Sequence, residues 1–218
     1  MVERFIVLDL DRTLLDTDAY VDLLVRALLP EKLHNEVRAK LAGTIGQSFD
    51  GLAYILQRAG LDYQAATNQV MRSLNNDNGL TLPMPGAAEL IAFLDTAGEH
   101  FGILTTGTVP NQQLKLKAFY AVIGVIIPAE ITSTPDKSID FIENRREGSG
   151  FNISPTLSGA ANGLHARTVV IIDDKQTNLT ADHPGVIAIH VPLTREEQAP
   201  GHTLQSVQAY LQNTASKP

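Results

Sequence analysis

The chain reads as α/β: a parallel, doubly wound sheet with a small helical domain inserted after its first strand. Three observations predict this. Residues 5–8 (F-I-V-L) are a short run of bulky and β-branched side chains without polar alternation, the pattern of a strand buried on both faces. Similar runs recur at residues 101–104 and 168–172, separated by segments that are apolar at helical spacing; such alternation goes with parallel strands and right-handed crossovers. Residues 17–79, directly after the first strand, carry helical patterns only.

The 218 residues suffice for one good core with a small companion, so residues 1–16 and 80–218 are assigned to the α/β core and 17–79 to the helical insertion. After Thr13, the run Leu14-Leu15-Asp16-Thr17-Asp18 offers good N-caps, and Asp16 and Asp18 are read as caps rather than ligands. Tyr20, Leu23, Leu24, Ala27 and Leu28 line a first helix. Tyr20 suits either the core or the entrance of the helical domain. Pro30 starts a second helix, with Leu33, Val37 and Leu41 on one stripe and a stop at Gly43. Ser48 caps a third helix carrying Leu52, Ile55 and Leu56 and ending near Gly60; Asp62 caps a fourth with Tyr63, Ala66, Val70 and Leu74, broken by residues 75–79.

Pro83-Met84-Pro85-Gly86 returns the chain to the main body, and a helix follows over residues 87–97 with Gly98 as its stop. The second strand, 101–104, ends in Thr105-Thr106-Gly107; a helix spans 111–120, and the apolar residues 122–127 read as a third strand. Lys137 opens a short helical patch over 138–143. Residues 147–165, rich in Gly, Ser, Asn and Pro, read as a mobile loop. Residues 168–172 (T-V-V-I-I) are the clearest strand and end in Asp173-Asp174. A helical turn at 176–181, a fifth strand at 186–191 and a last helix capped by Thr203 complete a Rossmann-like core.

Composition narrows the function. An apolar share of 44% and a charged share of 19% are those of an ordinary globular protein. The absence of cysteine rules out disulfides and thiolate metal sites. A net charge of −7 argues against nucleic-acid binding. The longest apolar run, residues 121–127, is too short to span a membrane. Glu3 and Arg4 lead straight into the strand, so no signal peptide and a cytoplasmic location are expected. The sequence carries no signal for oligomeric state. The six histidines show no metal-binding spacing and are read as structural or solvated.

Polar chemistry sits at three strand ends: Asp9/Asp11, Thr105/Thr106 and Asp173/Asp174. In a parallel sheet these meet on one edge, where ligands of such sheets bind. Four converging carboxylates resist ionisation together, and a divalent cation removes the conflict. Hard oxygen ligands favour Mg²⁺, which is readily shared with a substrate phosphate. Lys137 adds a second positive point. Thr105 offers a hydroxyl, and Thr106 and Gly107 offer backbone N–H groups at a strand-to-helix turn, which suit phosphate oxygens. One carboxylate of the first pair can act as nucleophile, forming an acyl phosphate, and the other as general acid–base. Asn178 either fixes the Asp174 loop through an Asx-type bond or is a plain helix residue.

The stretch D-L-D-R-T after the first strand resembles the D-x-D-x-T signature of the haloacid dehalogenase superfamily. Thr105, Lys137 and Asp173-Asp174 resemble its second, third and fourth motifs in order, over about residues 5–191. The resemblance implies Asp9 as nucleophile, Asp11 as general acid–base, and Thr105 and Lys137 as phosphate ligands. It implies Mg²⁺ held by Asp9, the backbone carbonyl of Asp11 and Asp174, with Asp173 nearby. The helical insertion is placed like the family's helical cap, which closes over small substrates. The implied activity is Mg²⁺-dependent hydrolysis of a small phosphorylated metabolite; alternatives are a mutase of the β-phosphoglucomutase type and a catalytically idle binding protein on the same fold. Dehalogenation is disfavoured because family dehalogenases lack the second Asp. The order of motifs argues against a response-regulator receiver, in which the acidic pair comes first. Arg12 stands where many members have Gly, and Ser138 follows the lysine where Pro is common. Lys115 and Lys117 are rivals for the phosphate lysine; Lys137 is preferred because the other two lie within a helix.

Overall fold

The computed structural model describes residues 1–42, 50–76, 81–180, 182–192 and 203–215. They form two compact units: Met1–Leu15 with Pro83–Gly107 and Val125–Pro218, and Asp16–Leu82 with Thr108–Gly124.

The first unit is built on the expected sheet. Strands β1 (Val2–Leu8), β2 (Phe101–Thr106), β3 (Ala129–Thr132) and β6 (Leu164–Asp173) stand in the order β3-β2-β1-β6, all parallel. Leu8 lies beside Ile103 on one side and Ile172 on the other, so three strands run out together on one edge. Phe5, Ile6, Val7 and Leu8 are fully buried, as expected of a central strand covered on both faces. One face of the sheet packs Phe5, Val7, Val169 and Ile171 against Phe141, Phe151 and Leu157. Helix α5 (Ala87–Thr96) and the last helix α9 (Leu204–Ala215) pack on each other. Arg4 ties the start of β1 to this layer through Glu99 and the Thr214 hydroxyl. Thr203 caps α9, its hydroxyl accepting from Ser206 N at 3.2 Å.

Two expectations fail here. Residues 122–127 are not the third strand. Helix α6 (Val109–Ile123) runs on to Gly124, whose left-handed backbone (φ 74°) ends it, and β3 follows at Ala129–Thr132. Val125 and Ile126 are 45% and 83% exposed. A short apolar run does not by itself separate helix from strand. Nor are residues 147–165 a loop. After the short helix α7 (Lys137–Ile139), they build β4 (Arg146–Glu147), β5 (Gly150–Ile153) and the short helix α8 (Pro155–Ser158), and then enter β6 at Leu164. Strand β5 pairs antiparallel with the first residues of β6, and β7 (Val186–His190) pairs parallel with its last ones. Helix α8 comes close enough to β2 that a Cβ on Gly102 would stand 2.1 Å from the Leu157 carbonyl oxygen.

The elements of the second unit among its described residues are helices: α1 (Thr17–Leu28), α2 (His34–Ala42), α3 (Gly51–Ala59), α4 (Tyr63–Asn76) and α6. In sequence α6 is the crossover between β2 and β3, yet its contacts group it with these helices. Asp16 caps α1, accepting from Asp18 N and Ala19 N at 3.0 and 2.9 Å. Asp50 caps α3, and Asp62 caps α4 through Ala65 N. Gly43 and Ser48, expected as helix stop and cap, lie outside the described residues. Tyr20 is buried, with its hydroxyl 3.4 Å from Asn111 Oδ1. No helix among the described residues is long and apolar enough to cross a membrane.

Candidate active site

The three central strands deliver their polar ends to one place. Asp9 N donates to Ile172 O at 2.9 Å, which fixes the first residue after β1 against the end of β6. Carboxylate oxygens of Asp9, Asp173 and Asp174 lie within 4.8 Å of one another. Asp9 and Asp173 are buried and Asp174 half-buried. Lys137, itself only 1% exposed, places Nζ 2.7 Å from Asp9 Oδ1 and also pairs with Asp173. The Thr13 hydroxyl donates to the other oxygen of Asp9 at 3.3 Å. Lys115 and Lys117 belong to the helical unit, their Nζ atoms 5.8 Å from the Tyr20 ring and 5.9 Å from the Tyr63 ring. Lys137 is the lysine seen paired with these carboxylates.

Thr105 is fully buried near the end of β2. The register sets Leu8, just before Asp9, beside Ile103, two residues before Thr105. Gly107 follows with φ 149°, a backbone region that β-carbons exclude. The carboxylate of Asp11 is outside the three-carboxylate cluster but near enough to raise the pKa of Asp9 by its charge. Arg12 holds a left-handed φ of 64°, which Gly would occupy without cost, and its guanidinium counteracts part of the upward pressure on Asp174.

The electrostatics show an excess of negative charge. Burial, then the neighbouring Asp173 and Asp11, push Asp9 up to about 7 against the pull of Lys137. Burial and Asp173 push Asp174 up to about 6, opposed by Lys175, Arg12 and Lys137. Lys137 goes the other way from what burial alone would do: Asp9 and Asp173 outweigh its desolvation and hold it firmly as an ammonium. One ammonium therefore faces more carboxylate charge than it can neutralise. A small divalent cation fits such a set of hard oxygen donors.

Several further residues support these carboxylates and the loops that carry them. Lys175 N and Asn178 Nδ2 donate to Asp173 Oδ1 at 2.8 and 3.1 Å. Asn178 thus reaches the Asp173 side chain from a 3-10 turn, in place of the expected Asx-type bond to the Asp174 loop. His190, at the end of β7, donates from Nε2 to Asp174 O at 2.9 Å. Asp136 and Thr180 join two of the loops. Of these, Lys175 N and Asn178 sit close enough to Asp173 in sequence for a local turn rule to find them.

The sequence profile of the haloacid dehalogenase-like hydrolases matches residues 6–181. No curated protein matches. Among solved structures, a protein from Burkholderia xenovorans described as a haloacid dehalogenase-like hydrolase superposes with a TM-score of 0.59 at 17% identity, all of both chains being covered. A HAD phosphatase from Thermococcus onnurineus gives 0.54 at 14% identity, over 97% of this chain and 98% of that one. The HAD-hydrolase YfnB from Bacillus subtilis, solved with magnesium bound, gives 0.50 at 16% identity, over 97% and 99%. At these identities the structures speak for the fold, and the profile, covering well over half of the chain, speaks for the family. The chain belongs to the haloacid dehalogenase-like hydrolase family.

Proposed function

We propose that this hydrolase is a Mg²⁺-dependent phosphatase of small phosphorylated metabolites, with Asp9 as its nucleophile. The observation that carries this reading is the Lys137 ammonium set against Asp9 at 2.7 Å beside Asp173, with Asp174 in the same cluster. Asp9, the backbone carbonyl of Asp11 and Asp174 would hold the metal, with Asp173 nearby. When bound, Mg²⁺ supplies positive charge that screens the phosphate from the carboxylates. Thr105, the N–H groups of Thr106 and Gly107, and Lys137 would bind the phosphoryl oxygens. A carboxylate oxygen of Asp9 attacks phosphorus and the bond to the leaving alcohol oxygen breaks, with Asp11 giving that oxygen its proton. Asp11 then takes a proton from water as the water oxygen attacks phosphorus, which frees phosphate and restores Asp9. The presence of Asp11 favours this chemistry over dehalogenation. An acid–base of this kind contributes roughly 10²–10⁴-fold; fixed charges and positioning supply most of the rest.

The helical unit, residues 17–79 in the sequence reading, is proposed as a cap that selects the substrate. The test is hydrolysis of p-nitrophenyl phosphate with Mg²⁺ and then with EDTA. Release that needs Mg²⁺ and vanishes in Asp9→Asn is expected. Hydrolysis retained by Asp9→Asn would overturn the nucleophile assignment, and activity indifferent to EDTA would overturn the metal.

A further inference from the structure

Lys137 and the acidic pair leave the sheet from strands that are not neighbours. In the order β3-β2-β1-β6, strand β3 leads to Lys137 and β6 to Asp173 and Asp174. Three strand spacings separate them, about 14 Å. Yet Lys137 Nζ reaches both Asp9 and Asp173. The segment between Thr132 and Lys137 therefore passes the end of β2 to bring the ammonium between Asp9 and Asp173, and it must be held where it arrives.

Asp136 is placed to hold it. Its Oδ1 serves the lysine turn, accepting from Ile139 N at 3.1 Å and from the Ser138 hydroxyl at 2.6 Å. Its Oδ2 serves the acidic loop, accepting from Thr180 N at 3.3 Å and from the Thr180 hydroxyl. Thr180 lies on the loop that begins at Asp174, 44 residues from Asp136 in the chain. The rest of that loop is pinned to its own strands, through Asn178 and Lys175 N on Asp173 and through His190 on Asp174. Ser138, which stands where the family commonly has Pro, supplies a hydroxyl that points at the same carboxylate.

We propose that Asp136 is a positioning residue that joins the turn carrying Lys137 to the loop carrying Asp173 and Asp174 through Thr180. The mechanical link stands on the hydrogen bonds alone; its consequence for turnover rests on the phosphatase reading above. A plain helix cap would use Oδ1 and have no need of Thr180. The link is charge-assisted, because a carboxylate accepts both Thr180 bonds.

The variants separate the two roles. Thr180→Val deletes the hydroxyl and leaves the cap; Thr180→Ser restores it. Asp136→Asn keeps a good capping acceptor but turns an amide toward the Thr180 N–H. The first readout is hydrogen exchange of the peptide covering residues 134–144 in the metal-free protein. Thr180→Val should raise its exchange roughly 3- to 10-fold, as expected for one lost hydrogen bond, Asp136→Asn should do the same for residues 174–180, and Thr180→Ser should match wild type. The second readout is kcat and KM for p-nitrophenyl phosphate, where Thr180→Val should lower kcat/KM severalfold and Thr180→Ser should recover it. Unchanged exchange in Thr180→Val, or Thr180→Ser no better than Thr180→Val, overturns the link. If wild type hydrolyses nothing with Mg²⁺, or Lys137→Ala keeps the wild-type rate, the phosphatase reading fails while the exchange comparison still decides the link. If Lys137→Ala is inactive and Thr180→Val matches wild type in both readouts, the link alone fails.

Discussion

Asp9→Asn should make the metal-free protein more stable while removing its activity. The reason is the cost of ionising Asp9 in place. An unfolded chain ionises this carboxyl around 3.8, and the folded protein only around 7. Each tenfold difference in proton affinity is worth about 1.4 kcal/mol, so above pH 7 the gap of roughly three such steps works against folding by about 4 kcal/mol. The sign follows from proton uptake. Between 3.8 and about 7 the folded state holds a proton that the unfolded state has lost, so stability falls as pH rises through that window and the full cost remains above it. Asparagine mimics the protonated acid in shape and still offers Lys137 an acceptor. In EDTA at pH 8 the variant should gain up to about 4 kcal/mol, and at pH 5 less than about 2 kcal/mol. A chain of this size shifts its Tm by roughly 2–4 °C per kcal/mol, so a rise of up to about 8–16 °C is the expected scale at pH 8. Thermal and urea melts of both proteins at the two pH values measure this. Adding Mg²⁺ should narrow the gap, since the wild type gains a bound cation and the variant has lost a ligand. Equal or lower stability of Asp9→Asn at pH 8 in EDTA would refute the claim that this carboxylate is held under electrostatic strain.

The same electrostatics set the pH dependence of metal binding: Asp9 at about 7 and Asp174 at about 6 must give up protons to a cation, so Mg²⁺ affinity should climb steeply from pH 5 to pH 8 and binding should release protons. Calorimetry in buffers of differing ionisation enthalpy reads this directly, and a flat profile would contradict it. Gly102→Ala should cost about 2 kcal/mol or more, because its Cβ would stand 2.1 Å from the Leu157 carbonyl and α8 would have to move off β2; urea melts check it. Ile126→Ser should change stability by less than about 0.5 kcal/mol, since Ile126 is 83% exposed, whereas a buried strand residue would lose several times that.

Those last two substitutions mark where the sequence misleads. The strand ends are legible because a buried parallel strand is a short unbroken apolar run, and Asp9, Thr105 and Asp173 each stand where one stops. Lys137 is legible only through its order among the motifs, because nothing local separates it from Lys115 or Lys117. What separates them is that the chain from β3 passes the end of β2 to set Lys137 against Asp9, a tertiary fact. Residues 122–127 look like another strand because six residues are too few to show a helical period; the helix that ends at Gly124 claims the first of them. Strands β4 and β5 are two and four residues long, too short for alternation to register among glycines and prolines. Asp136 and His190 are invisible for a different reason. Their partners lie 44 and 16 residues away, and no periodicity connects them.

The illegible segment bears on the site because of what it braces. Arg145 donates to Asp140 Oδ2 at 2.7 Å and to Glu130 Oε1 at 2.5 Å, and the Ser154 hydroxyl donates to Glu130 as well. Glu130 is on β3, before Lys137, and Asp140 is just after it. The same guanidinium lies 5.1 Å from the Phe141 ring centre, and Phe141 packs edge-on against Phe151 of β5 at 6.2 Å. The lysine turn is thus held on its far side by residues 140–154 and on its near side by Asp136 and Thr180. A buried ammonium between two carboxylates is held in place only if its backbone cannot yield, since the carboxylates repel one another and Lys137 alone does not balance them. Fixed charge that does not rearrange when an anion arrives is what stabilises a transferring phosphoryl group most effectively. These bonds hold the Lys137 ammonium against Asp9 and Asp173, which is the fixed charge that the proposed phosphoryl transfer would need.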